Sequence, residues 1–391
     1  MSRRLPVLAR QVDQISFDRG DTAFVILSSA LILFMIPGLA FLYGGLARRK
    51  NSLQLLLAVV FSNAVVVFQW YLWGYSLAFS RTATNGFIGN LNNVGLRNVL
   101  AMASPGSPLV SELLFSFIQM EFACVTASLL QRGRVMPAMI FSFLWTTLVY
   151  CVIAQWAWGI NGWAAKWGWF RGLAYAFVLG PRRKRELVNF RPHNVSFVCL
   201  GTFILWFGWI GFNAGSAYGA NLRAVYAAWN SNICAAMAGL VWCLLDFRVQ
   251  GKYSMVSFCC GTISGLVAST PSSGFIPAWA SIILGIVAGG VCNYATKLKH
   301  IMGIDDSLDI FAQHGVGGML GLMANALFAA DYIISLDNVN TTNNCKRIYI
   351  QLGYICFDLV PFLQLRAPEE AETNGMDEDQ IGEYGKDFIA F

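Results

Sequence analysis

The chain has 391 residues, of which 56% are hydrophobic and only 12% are charged, and its net charge is +6. A soluble domain carries about twice that charged fraction, so the composition excludes an ordinary soluble globular domain. Charges stand in short runs between long apolar blocks, a pattern typical of an all-α polytopic membrane protein. A transmembrane β-barrel would alternate polar and apolar residues along short strands instead.

Eleven apolar segments follow one another along the chain, and we number them one to eleven. A helix needs about 20 apolar residues to cross the hydrocarbon core, and most segments reach or approach that length. The fifth and the eleventh are too short. The segments are 22–46, 53–79, 109–130, 135–159, 169–180, 195–215, 224–245, 255–269, 277–295, 307–329 and 348–363.

Basic residues mark the cytosolic loops. Clusters of Lys and Arg follow the odd-numbered segments, and the densest of them is 182–185. The positive-inside rule therefore predicts an outer N-terminus and a cytosolic C-terminus. These loop charges explain the net positive charge better than an anionic partner does, and nothing resembles a nucleic-acid module. The residues from Arg366 onward form an acidic, solvated tail.

His314 is the residue that most suggests a function. It stands at the start of segment ten, in a run that contains no charged residue between Asp309 and Asp331. An ionisable group inside a membrane segment is costly, and by default it indicates a pathway for an ion, a proton or a substrate. His193 and His300 lie beside basic loops, and we interpret both as solvated or capping histidines.

Segments three, four and six contain aromatic and polar residues that suit an outer cation site and a narrow apolar path. For each of these aromatic residues, helix packing or an interfacial belt is the commoner explanation. A lone hydroxyl such as that of Ser216 more often bonds back to its own helix. The ten cysteines lack metal-ligand spacing and indicate neither a metal site nor a disulfide framework.

In combination, several motifs resemble the ammonium transporter family (Amt/Mep/Rh), with particular similarity to fungal ammonium permeases. The resemblance covers nearly the whole chain from Gly20 onward. The matching stretches are 20–23, 37–46, 74–79, 189–194, 206–216, 292–295, 305–306, 309–318 and, in the acidic tail, 377–383.

The resemblance implies an eleven-helix fold in which segments one to five and six to ten form an inverted repeat. It implies a homotrimer with one pore per subunit. Ammonium is recruited at an outer site, and neutral ammonia then crosses the bilayer through an apolar pore. By motif, the resemblance places the recruitment site at Phe122, Trp158 and Ser216, and the gate at Phe122 and Phe212. The residues that line the pore are His314, Trp209 and Gln119, and His314 is one of two histidines that relay the proton.

The chain departs from the family pattern in segment five. Where the family has an Asp, a Gly-Gly and then the first pore His or Glu, residues 166–168 run directly into Trp169. Shorter gaps occur between Thr126 and Arg132 and within segment eleven, so we expect helices five and eleven to be truncated. An intron boundary error, an alternative transcript and a decaying gene all remain possible explanations.

The sequence therefore predicts an integral membrane ammonium transporter for nitrogen uptake, in the plasma membrane, impaired by loss of the first pore histidine. Two alternatives stay open: an ammonium sensor that signals through its tail, and a non-transporting subunit of a mixed trimer. No cofactor is expected, and no constellation suggests an enzyme. The expected organisation is an extracellular segment at 1–21, a transmembrane domain at 22–363 and a cytosolic tail at 364–391.

Overall fold

The structure is a computed structural model that describes residues 17–129, 135–162, 192–302, 306 and 308–337. Segments five and eleven, the first 16 residues, residues 130–134 and the acidic tail lie outside these ranges. Within them the regular structure is helical, with one isolated β-bridge between Ala103 and Ser111. The all-α prediction is confirmed for this part of the chain.

Segments one to four form helices with internal breaks. Two helices of segment one meet at Phe34, and segments two and four each contain a π-helical turn, a widened turn that often marks a functional region. The bounds are Arg19–Leu33 and Met35–Leu46 for segment one; Ser52–Gln69, Trp70–Gly74 and Tyr75–Phe79 for segment two; Glu112–Leu129 for segment three; and Val135–Trp145, Thr146–Tyr150 and Cys151–Trp158 for segment four.

Segments six to ten form the second half of the described chain. Their helices are Val195–Gly215, Leu222–Gln250, Met255–Ser269, Ala278–Ala295 and, for segment ten, the π-helical turn Phe311–Val316 followed by Gly317–Phe328. Short helices at Leu298–Met302 and Asp331–Ile334 and single turns at Arg49–Asn51, Val94–Leu96 and Ser335–Asp337 lie between or beside them.

Two helices differ from their predicted bounds for identifiable reasons. Segment seven extends past Asp246, where the apolar run ends, and stops at Gly251. The φ of +66° at Gly251 and its N–H bond to the Phe247 carbonyl (2.8 Å) form a left-handed cap. Segment ten begins later than predicted because Asp309 has a φ of +55°, which no helix accommodates.

The helices present apolar faces to the outside of the molecule. Leu27, Phe207 and Leu244 expose 60%, 56% and 54% of their surface. Six of the described helices are long and apolar enough to cross a membrane, and a seventh is if the bent pair Phe311–Phe328 and Asp331–Asp337 is one span. Apolar exposure on this scale suits lipid rather than water, and the prediction of an integral membrane protein is confirmed.

Close packing of segment one on segment six joins the two halves. A Cβ on Gly208 would lie 2.7 Å from the Leu31 carbonyl oxygen, and one on Gly45 would lie 2.7 Å from the Asn194 carbonyl oxygen. Only glycine permits this backbone approach, as expected of small residues at membrane helix interfaces. The same holds within the second half, where a Cβ on Gly261 would lie 2.5 Å from the Ala238 carbonyl oxygen.

Candidate functional site

Two phenylalanines meet where segment three faces segment six. The rings of Phe122 and Phe212 have centroids 4.6 Å apart and planes tilted by 53°. One turn further along segment six, an added Cβ on Gly215 would lie 2.6 Å from Ser28 Cβ of segment one and 3.2 Å from Ile118 Cδ1 of segment three. The two rings are in contact, and together they form an apolar constriction.

Trp209 continues the aromatic path from Phe212 toward segment ten. Its ring centroid lies 5.9 Å from that of Phe212 and 6.4 Å from that of His314, on which it stacks with an interplanar angle of 26°. The indole N–H donates to Thr270 Oγ1 over 2.8 Å. Because the only polar atom of the indole is bonded to the protein, Trp209 offers the path an apolar face.

An apolar cavity lies beside Trp209 and His314. It has a volume of about 10 Å³ open to the centre of a water-sized molecule, which is room for about one such molecule. Segments one, six, eight and ten contribute its walls, which are Leu39, Leu42, Tyr43, Leu46, Leu205, Trp209, Cys260, Ile263, Leu308, Ile310, Gln313 and His314. A passage of this size and polarity suits a small neutral molecule and disfavours a hydrated ion.

The π-helical turn that carries His314 is anchored at its start by Asp306. The backbone N–H groups of Ile310 and Phe311 donate to Asp306 Oδ1 (3.0 Å) and Oδ2 (2.8 Å). Lys299 Nζ lies 2.6 Å from Asp309 Oδ1, and this ion pair also lies at the start of segment ten. A carboxylate that accepts N–H groups at a helix start stabilises that start, so Asp306 anchors the turn on which His314 lies.

Gln119, Ser216 and Trp158 lie around this path in different ways. Gln119 Nε2 donates to the Tyr218 hydroxyl over 2.6 Å, and its side chain is buried. The Ser216 hydroxyl donates to the Phe212 carbonyl over 2.8 Å, which is the back-bonding that the sequence suggested for a lone hydroxyl. Trp158 ends segment four with 41% of its surface exposed.

The structure thus brings Phe122, Phe212, Trp209 and His314 into one continuous series of ring contacts. Sequence reasoning missed the anchoring role of Asp306 and the Thr270 partner of Trp209. Asp306 belongs to a matched motif, but only the backbone geometry shows which N–H groups its carboxylate accepts. The stretch where the family has its first pore histidine, 166–175, lies outside the described residues.

The fold and site define a polytopic helical membrane protein with an aromatic constriction above a histidine-lined apolar cavity. The model of the Ammonium Transporter Family matches residues 23–386. The chain belongs to this family, as the motifs predicted.

Relatives and solved structures agree with the family assignment. Ammonium transporter MEP3 of Saccharomyces cerevisiae is 47% identical over 416 residues, covering 96% of this chain and 85% of MEP3. Ammonium transporter 2 of Schizosaccharomyces pombe is 45% identical, covering 95% and 82%. The crystal structure of S. cerevisiae Mep2 superimposes with a TM-score of 0.79 at 39% identity, covering 88% of this chain and 84% of the other.

The lengths of these matches carry further information. The match to MEP3 spans 416 residues, which is more than the 391 residues of the whole chain. Because the match covers 96% of the 391 residues, which is about 375 of them, roughly 40 of its 416 positions have no residue here. Relative to MEP3, the chain therefore lacks residues within the matched region.

Proposed function

We propose that this chain is an ammonium transmembrane transporter of nitrogen uptake, whose pore is impaired because segment five lacks the first pore histidine. The observation that carries the proposal is the series of ring contacts from Phe122 through Phe212 and Trp209 to His314. Such a series provides an apolar route for a neutral molecule and ends on a group that exchanges protons. Relatives at 45–47% identity bear the name ammonium transporter.

The outer end of the path is the proposed recruitment site. Phe122, Trp158 and Ser216 are its residues, with ring faces that attract a cation without carrying a charge. Phe122 and Phe212 then act as the gate, and Trp209, Gln119 and His314 line the path below. A cation gives up a proton at the gate because the apolar path beyond does not replace its hydration.

Loss of the first histidine affects proton transfer more than passage of ammonia. With two histidines, a proton released outside passes from ring to ring. His314 alone has no second imidazole to receive it.

The proposal also covers the architecture of the protein. It comprises eleven helices in a 5+5 inverted repeat, of which the fifth and the eleventh are shortened. The domain bounds are 1–21, 22–363 and 364–391. The protein is a homotrimer in the plasma membrane, with its C-terminus in the cytosol.

Expression in a yeast that lacks its own ammonium permeases tests the proposal. Two chains are compared: the chain as written, and one that carries the corresponding segment of MEP3 inserted between Gly168 and Trp169. We expect no growth on low ammonium from the first and restored growth from the second. Uptake of labelled methylammonium and surface abundance of each chain serve as quantitative controls.

The two parts of the proposal fail separately in this experiment. Robust growth with the chain as written contradicts the impairment. A chain with the insert that reaches the membrane but neither supports growth nor takes up methylammonium contradicts ammonium transport itself. If neither chain supports growth or takes up methylammonium, and the chain copurifies with an intact relative, the result favours a non-transporting subunit of a mixed trimer.

A further inference from the structure

Segments three and six carry the two rings of the apolar constriction, yet they are not packed against each other along their length. Segment three packs mainly on segments one and two, and it meets segment six at only a few residues. The distance between the rings of Phe122 and Phe212 therefore depends on the few contacts that join these two segments.

Tyr218 makes such a contact from the turn that follows segment six. Its hydroxyl accepts a hydrogen bond of 2.6 Å from Gln119 Nε2 of segment three. Its ring lies on that of Phe115, one helical turn before Gln119, with centroids 5.2 Å apart and planes at 46°. Phe122 follows one turn after Gln119, so Tyr218 contacts the face of segment three that carries Phe122.

The backbone of Tyr218 is held in an uncommon conformation. Its φ is +51°, a left-handed value that is rare for a bulky residue and persists only where the surroundings impose it. A Cβ on Gly106 would lie 2.7 Å from Tyr218 Cδ2, so the loop before segment three leaves just enough room for the ring. Asp21 of segment one accepts the Ala220 N–H over 2.8 Å and fixes the same turn. The Tyr218 hydroxyl thus has a defined position.

We infer that Tyr218 is a positioning residue that keeps the rings of Phe122 and Phe212 in contact. Its hydrogen bond joins the end of the segment that carries Phe212 to the face of the segment that carries Phe122. The inference rests on the proposed role of this ring pair as a gate, and it adds a residue that lies outside the matched motifs. Loss of the bond lets segment three move away from segment six, so the constriction opens.

Access of silver ions to Cys260 measures how far the constriction is open. Cys260 belongs to the cavity wall that also contains Trp209 and His314, so an ion from the outer side must first pass the ring pair. Ag⁺ is a small, soft monovalent cation that binds aromatic faces, and at a thiol it displaces the proton and forms a sulfur–silver bond.

The measurement uses intact yeast cells that express the full-length chain. The cells receive a short pulse of silver nitrate in chloride-free buffer. Thiols that have not reacted are alkylated after denaturation and counted by mass spectrometry, with fragment spectra that separate Cys260 from Cys259. Cys243, near the inner end of segment seven, reports silver that enters the cell by other routes.

Two variants remove the bond from its two ends. Tyr218→Phe removes the hydroxyl and keeps the ring on Phe115. We expect the rate of silver reaction at Cys260 to rise by about fivefold, the factor that one net hydrogen bond contributes to an equilibrium. Gln119→Leu gives a similar rise, and the double variant reacts no faster than either single variant. Gln119→Leu also keeps the test decisive if Tyr218→Phe does not fold.

Two controls separate positioning from a general loosening of the outer end. Tyr332→Phe removes the hydroxyl of an exposed tyrosine just after segment ten and leaves the rate unchanged. Asn221→Ala removes the cap of segment seven, which accepts the Ala224 N–H over 2.9 Å beside the same turn. This variant lowers thermal stability but does not accelerate the reaction at Cys260. Equal acceleration by Asn221→Ala and Tyr218→Phe overturns the inference.

Phe212→Ala distinguishes failure of the inference from failure of the proposed gate. It removes one ring of the pair and is expected to accelerate the reaction at Cys260 more than Tyr218→Phe does. If Phe212→Ala accelerates the reaction and the folded Tyr218 and Gln119 variants do not, the inference is overturned and the gate stands. If Phe212→Ala leaves the rate unchanged, the ring pair is no barrier, and the gate and the inference fail together.

Discussion

The two halves of the described chain, segments one to four and segments six to ten, differ in how their buried polar groups are satisfied. In the second half the groups near the path have partners. Trp209 donates to Thr270, Asn213 Nδ2 donates to Ser231 Oγ over 2.7 Å, and Asp306 accepts two backbone N–H groups. The groups in this half that lack a partner are mostly single oxygens, such as those of Thr262 and Ser281.

The first half leaves larger groups unsatisfied. Glu121 is 1% exposed and its Oε2 has no partner among the described residues. Gln155 is completely buried, and both polar atoms of its amide are unpaired within the described ranges, as is the hydroxyl of Tyr150. An atom that stays unpaired costs about 1–3 kcal/mol, and among the described residues this half has more such buried atoms than the second half.

The difference has a simple topological explanation. Segment ten packs against segments eight and nine in the second half. In an inverted repeat, segment five takes the corresponding place against segments three and four, which are the segments that carry Glu121, Tyr150 and Gln155. The unpaired groups of the first half therefore lie where a full-length segment five would pack, which supports the proposal that this segment is shortened.

The largest expected loss of stability comes from removing a carboxylate of the second half that accepts hydrogen bonds. Asp306→Ala leaves the N–H groups of Ile310 and Phe311 without acceptors at the start of segment ten. Unfolding in detergent, followed by helical circular dichroism, is expected to show a loss of about 2–3 kcal/mol. Asp306→Asn keeps one acceptor oxygen and is expected to lose about half as much; equal stability of all three proteins contradicts the anchoring role.

Removing a buried carboxyl from the first half is expected to raise stability instead of lowering it. Glu121→Met removes a buried carboxyl that lacks a partner and keeps most of its volume, so we expect a gain of about 1 kcal/mol. The same measurement on the chain with the MEP3 segment inserted after Gly168 sharpens the comparison. If that insert supplies the missing partner, the gain disappears there. A clear loss of stability in the chain as written shows that Glu121 is already satisfied.

The third prediction compares two hydroxyl groups of the second half, one with a hydrogen-bond partner and one without. Thr270→Val removes the acceptor of the Trp209 N–H and lowers stability by about 1 kcal/mol. Thr262→Val is the control, because the Thr262 hydroxyl is buried in the helix that Thr270 follows, and its Oγ1 has no partner among the described residues. Thr262→Val is expected to leave the free energy of unfolding unchanged. Equal effects from both variants contradict a specific bond to Trp209.

The sequence predicted those features that depend on composition along the chain. Apolar length located the helices, and the cost of burying an imidazole singled out His314, whose ring stacks on that of Trp209. The break at Phe34 and the late start of segment ten were not predictable, because both depend on backbone geometry at single residues such as Asp309.

Side-chain partners were equally out of reach from the sequence. Nothing in the spacing of Tyr218 distinguishes it from an ordinary tyrosine of a turn, and only the structure reveals its bond to Gln119. The roles of Trp158 and Ser216 in recruitment stay predictions, since the contacts of Ser216 are those of an ordinary helical hydroxyl. A contact within a helix is local, whereas a site depends on residues that are far apart in sequence.

The smallest expected effect tests the first half most directly. His314→Ala in the chain as written is expected to leave methylammonium uptake unchanged, because under the proposed loss of the first histidine the path has no relay to lose. In the chain with the MEP3 segment inserted, the same substitution is expected to reduce uptake sharply, since both histidines then participate. Equal surface abundance of the four proteins is the control. A strong fall in the chain as written means that His314 acts alone, and the defect of the first half is then one of packing rather than of proton transfer.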